Sequence, residues 1–245
     1  MKKGKKTGHQ GRVKIKKITE DSITMKDEKN IIRMLQSGDF DLSHEALELL
    51  MQQEHISDRM LEAILGLENE KFIQGEFLER FEFFSASQIQ IIEQFIHQHI
   101  NDRDYLFASC LIDCANFNNM LSINDICVEF VEKRRYDCVV IAALDYIFEH
   151  MNFHDIARVV RLFNRVLNNK SYYQNCQTIA SFHLFRLTHH SKYYDFLKSL
   201  VLEGGKINYM ALKNCLQKRC YNHKQYFAYH DDLILIITER EKNNC

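Results

Sequence analysis

Apolar side chains recur at helical spacing along most of this sequence. Ile123, Ile126, Cys127, Phe130 and Val131 fall at i, i+3, i+4, i+7 and i+8, one face of a helix. Ile156, Val159, Val160, Phe163, Val166 and Leu167 repeat the pattern thirty-odd residues later. Between them, Val139 to Leu144 is apolar on every side, as expected of a helix with neighbours on two faces. The 64 residues from Asp104 to Leu167 therefore fit four helices with very short connections.

Extended along the chain, the same reading predicts helices at 28–37, 43–54, 57–67, 70–83, 86–99, 102–116, 123–134, 137–150, 153–168, 172–189, 191–203, 207–219 and 224–241. Ser85 with Gln88 and Ser171 with Gln174 fit the capping box, in which the first side chain accepts an orphan N–H and the fourth reaches back. Asn101, Ser122 and Asn152, each with Asp three residues later, are weaker start signals. Gly38 and Gly204-Gly205 follow apolar segments where a left-handed stop belongs.

Helix starts recur every 14 to 21 residues, so helix pairs recur at roughly 30–36. That spacing resembles an α-solenoid of the HEAT, armadillo and TPR kind, in which each hairpin buries its apolar face against the next. The resemblance spans residues 28–241 and is architectural, because the TPR signature of Trp, Leu-Gly, Tyr and Pro is missing. The expected fold is all-α: a right-handed α-α superhelix of about six helix hairpins, HEAT/TPR-like, with a short N-terminal basic arm or β-hairpin. The arm is assigned to residues 1–27 and the helical-repeat domain to 28–245.

Composition supports this. The chain has no Pro, where about 5% is usual, so nothing removes an N–H from a helix ladder. Its eight Cys form no CxxC pair and read as reduced, buried thiols. The longest apolar run, Cys138 to Leu144, has seven residues, against the roughly 18–20 needed to span a bilayer. The Lys-rich start lacks the apolar stretch of a signal peptide. The expected location is therefore cytoplasmic, with no membrane partner.

The net charge of −1 hides an asymmetry. Lys2, Lys3, Lys5, Lys6, Arg12, Lys14, Lys16 and Lys17 give residues 1–17 a charge of +8 with no acid. The remainder, with 24 Lys and Arg against 33 Asp and Glu, carries −9. From Val13 to Met25 apolar and polar residues mix in a way that suits a short hairpin, or a strand that pairs with a partner.

Candidate chemistry is sparse. Cys110 with Cys114 and His150 with His154 have the i, i+4 spacing of metal ligands. Cys114 lies beside an apolar face and Met151-Asn152 breaks the helix between the two His, so neither metal nor cofactor is expected. His97, His99, His189 and His190 read as helix ends. There is no GxSxG, HExxH, Walker loop or GxGxxG. Asp231-Asp232 and Glu76, Glu79 and Glu82 read as wet helix faces.

The best candidate binding surface is the stripe Arg158, Arg161 and Arg165, at i, i+3 and i+7 opposite an apolar face. Lys133, Arg134 and Arg135 extend it from the preceding hairpin. Arg's planar fork suits carboxylate or phosphate. The function expected is a non-catalytic protein–protein interaction module, a scaffold, adaptor or immunity-type binder using the concave face of the array. The alternative is a nucleic-acid-binding protein that uses the arm and the stripe. HEAT-like DNA glycosylases are similar in length and class, and Asp113 is then the candidate acid. That family cradles damaged nucleotides with Trp, and this chain has none.

Overall fold

The computed structural model describes residues 25–67, 70–203, 205, 209, 210, 212, 213, 216 and 229–243. The basic arm and the hairpin expected over Val13–Met25 lie outside this set, except Met25, which opens the first helix. Among the described residues there are twelve α-helices and no strand. They are α1 (Met25–Leu35), α2 (Phe40–Leu50), α3 (Asp58–Leu65), α4 (Lys71–Arg80), α5 (Ala86–His99), α6 (Tyr105–Phe117), α7 (Asn124–Glu132), α8 (Asp137–His150), α9 (Ile156–Asn168), α10 (Gln174–Thr188), α11 (Ser191–Glu203) and α12 (His230–Asn243). Short 3-10 turns, Leu121–Ile123 and Phe153–Asp155, lead into α7 and α9. No helix among the described residues is long and apolar enough to cross a membrane.

Side chains that accept orphan N–H groups set several helix starts. Ser85 and Gln88 form the expected capping box at α5. At α2 the Asp39 carboxylate accepts from the amides of Asp41 and Leu42, which starts the helix at Phe40 rather than 43. Asp104, not Asn101, caps α6, accepting from Leu106 and Phe107 at 3.1 Å each. The capping box expected at Ser171 does not form. The Ser171 amide donates to Asn169 Oδ1 in a turn, and α10 begins at Gln174 after Tyr173. Gly38 adopts the left-handed conformation expected of a helix stop (φ 69°). Asn119, Arg134 and His189 take positive φ elsewhere, where the sequence supplies no glycine. Gly204 lies outside the described residues.

The even-numbered helices α2, α4, α6, α8 and α10 pack side by side in chain order. The odd-numbered helices carry the chain back between them and cover one face of that layer. This explains the two kinds of apolar pattern. In α8 Val139, Val140 and every residue from Ala142 to Ile147 are buried, whereas α9 buries only Val159, Leu162, Phe163 and Val166. Helices α11 and α12 extend the array beyond α10.

Polar side chains of the even layer finish the odd helices. Gln74 Nε2 donates to the carbonyls of Ile64 and Leu65 at the end of α3, and the Ser43 hydroxyl donates to Leu35 O at the end of α1. Small residues let the even helices approach. A Cβ on Gly75 of α4 would lie 3.2 Å from Cys110 Sγ on α6. Cys138 and Cys176 sit at the next two junctions, each thiol donating to a carbonyl of the preceding even helix.

Candidate functional site

Because the odd helices reverse the chain each time, the even helices all start at one edge of the array. An aromatic side chain stands at each of these starts: Phe40, Phe72, Tyr105, Tyr136 and Tyr173, all exposed. Phe40 meets Phe72 at 5.8 Å between ring centroids, and Tyr105 stacks on Tyr136 at 4.4 Å. The intervening junctions are closed by polar contacts. Lys71 Nζ lies 2.6 Å from Asp102 Oδ2, and Asn175 Nδ2 donates to Asp137 Oδ2 at 2.7 Å. Two backbone amides and the Lys71 ammonium hold the Asp102 carboxyl below its ordinary range, the Asp104 amide contributing most. Beneath the tyrosine pair a recess of about 190 Å³ is lined by Arg103, Arg135, Ala108, Phe130 and Val139. Sequence reasoning passed over this edge. The signal was there: aromatic residues at 40, 72, 105, 136 and 173 recur at nearly the period of the helix pairs.

The arginine stripe is exposed along α9, as its spacing predicted. Arg165 Nη2 lies 3.0 Å from Glu132 Oε1, which draws that end of the stripe to the α7–α8 corner. There Arg134 lies over the ring of Tyr172, 5.6 Å from its centroid, and the Tyr172 hydroxyl donates to Val131 O. Lys133 pairs with Glu129 of its own helix. The structure therefore brings Arg165 and Arg134 together but divides the remainder. Arg135 turns to the aromatic edge, over Phe130. Arg158 lines a pocket of about 230 Å³ with Asn124, His150 and Asp155.

At the opposite edge, where the even helices end, a cleft of about 540 Å³ opens among α2, α4 and α6. Met51, Gln53, Phe81, Phe83, Asn116 and Phe117 form its walls, and Glu79, Glu82 and Asp113 supply carboxylates. Arg80, also in the lining, is engaged by Glu48 at 2.9 Å and Glu76 at 3.6 Å. The glutamates of α4 are thus not a plain wet face. Asp113 shares this cleft and stands apart from the arginine stripe, which belongs to α9.

The paired metal-type spacings do not converge. Cys110 donates to Glu79 Oε2, Cys114 is fully buried, and no group of three or more His, Cys, Asp or Glu suited to a metal ion occurs among the described residues. Burial, reinforced by Glu79, Asp113 and Glu76, raises the Cys110 thiol well above its ordinary range. Burial pushes Cys114 and Cys176 up to about 12 each. These groups stay protonated and weakly nucleophilic. Comparison with protein-family models, with curated proteins and with solved structures found no match.

Proposed function

We propose that the protein is a non-catalytic interaction module, a scaffold, adaptor or immunity-type binder built as a HEAT- or TPR-like helical array, and that it meets a partner protein along the edge where the even helices begin. The stacked Tyr105–Tyr136 pair carries this reading. The two rings are 41% and 57% exposed over a recess flanked by Arg103 and Arg135. Tyr and Arg are the residues most often found as energetic anchors of protein interfaces, since each combines a flat apolar surface with a polar end. The neighbouring rings Phe40, Phe72 and Tyr173 extend the same edge, and helical arrays characteristically offer long surfaces of this kind.

Affinity capture by the full chain, with and without nuclease, tests the class of partner. The reading predicts a retained polypeptide that survives nuclease treatment and moderate salt. Loss of all retained material on nuclease treatment would instead favour a phosphate backbone at Arg158, Arg161 and Arg165, with a steep salt dependence.

A further inference from the structure

We propose that the recess beneath Tyr105 and Tyr136 selects an acidic segment of the partner: an apolar side chain enters at the tyrosine pair, and an adjoining Asp or Glu meets Arg103 and Arg135. The proposal names the chemistry of the partner at the edge described above, and it rests on that reading.

Size and floor decide what enters. The recess, at about 190 Å³, is smaller than the ~300–1,000 Å³ of small-molecule sites, so it suits one side chain rather than a cofactor. Its floor is formed by Ile100, Ala108, Phe130 and Val139, all buried. A carboxylate seated on that floor would lose its hydration without gaining a partner, whereas an apolar group loses nothing there. The charge of the incoming segment belongs at the rim.

At the rim the available groups are cations. Arg103 and Arg135 are both exposed, and neither forms an ion pair with a described residue. Arg135 lies over the Phe130 ring and acts on Glu129 only weakly, because Lys133 holds that carboxylate. The carboxylates around the recess are already engaged. Asp102 is held by Lys71 and by the Asp104 amide. Asp104 accepts from the Leu106 and Phe107 amides, and Asp137 from Asn175 and the Cys138 amide. These last two stand at the starts of α6 and α8, where the helix dipoles offset their charge. An incoming carboxylate therefore finds two planar guanidiniums suited to bidentate pairing. A lysine would find the acids occupied and two like charges opposing it.

The edge also sets a spacing. Helices α2, α4, α6 and α8 are neighbours in that order, so the Phe40–Phe72 contact stands two helix intervals from the tyrosine pair. At ~8–10 Å per interval this is ~16–20 Å, which an extended segment covers in about five or six residues. A second apolar residue of the partner at that separation reaches the phenyl pair.

Selection from a displayed library of random peptides about twelve residues long, enough to span both pairs, tests this with the full chain as bait. The enriched pool should carry Asp or Glu beside an apolar residue, with a second apolar residue about five or six positions away. A synthetic peptide of the enriched sequence should lose about tenfold or more in affinity when its acid is replaced by the amide. The variant Arg103→Gln with Arg135→Gln should cost the same, and combining the two changes should add little. A pool without acids, or affinity that survives both changes, would overturn the acidic assignment; the edge itself would stand if Tyr105→Ser with Tyr136→Ser still abolished binding. Peptides that bind this tyrosine variant as tightly as the parent, or no enrichment at all, would overturn both.

Discussion

His183 Nε2 lies 2.7 Å from Asp145 Oδ1, and neither side chain is exposed to solvent. The pair links α10 to α8, the last junction of the even layer, with the Phe148 ring stacked on the imidazole at 4.3 Å. Arg186 lies over the same phenyl ring and 3.4 Å from Glu149. Removing one partner of a buried hydrogen-bonded pair takes a contact from the other in a poorly solvating interior. His183→Leu is therefore expected to lower stability by about 1–3 kcal/mol. The double variant Asp145→Leu with His183→Leu should recover part of this loss. A double-mutant cycle by chemical denaturation checks it, and strictly additive losses would contradict the coupling.

Gly75 of α4 packs tightly against Cys110 of α6. A methyl group there would meet Cys110 Sγ at 3.2 Å and Cys110 Cβ at 3.3 Å. Alanine raises helix propensity by about 1 kcal/mol, but overpacking typically costs ~1–3 kcal/mol. Gly75→Ala should therefore be net destabilising, and Cys110→Ala in the same chain, which removes the sulfur but keeps the Cβ, should restore only part of the loss. Denaturation midpoints of the two variants decide this.

The thiols give a chemical test of burial. With Cys114 and Cys176 pushed up to about 12, the thiolate fraction at neutral pH falls by roughly a thousandfold from the ordinary value. Native protein should leave both unmodified by iodoacetamide under conditions that alkylate them fully in denaturant. Rapid native labelling at either position would contradict the packing described.

His150 contributes to the acid limb of stability. Burial holds its imidazolium below the ordinary range, with the Asn116 backbone opposing in part. The unfolded chain therefore takes up this proton at a higher pH than the folded one does. Stability is full above the unfolded value of ~6.5 and declines as pH falls through the window between that value and the lower folded one. His150→Gln should flatten this part of the stability profile. An unchanged slope would exclude the group as a contributor.

Much of this architecture is legible in the sequence. The α8 segment 137–150 and the α11 segment 191–203 match the elements expected from apolar periodicity, and Ser85 marks the start of α5. Two kinds of information were missing. Local polar competition was one: Asp39 and Asp104 captured helix starts assigned elsewhere, because several side chains in each loop were chemically able to cap. Juxtaposition across helices was the other. Asp145 is visible in the chain as an acid inside an apolar run, yet its partner lies 38 residues away. Likewise Glu79 and Glu82 look like a plain solvated face until the ends of α2 and α6 form a cleft with them. The arginine stripe is exposed as its spacing implies, but that spacing holds no hint that Glu132 pairs with Arg165 or that Arg135 lies over the Phe130 ring.

The interface is tested most directly by capture with an edge variant, Tyr105→Ser with Tyr136→Ser, beside the charge-reversed stripe Arg158→Glu, Arg161→Glu and Arg165→Glu. Two anchor residues worth about 2 kcal/mol each correspond to a loss of roughly a thousandfold in affinity. The edge variant is expected to lose the nuclease-resistant partner while its melting temperature stays near that of the parent. Full retention of the partner by the edge variant, with loss confined to the charge-reversed stripe, would contradict the assignment.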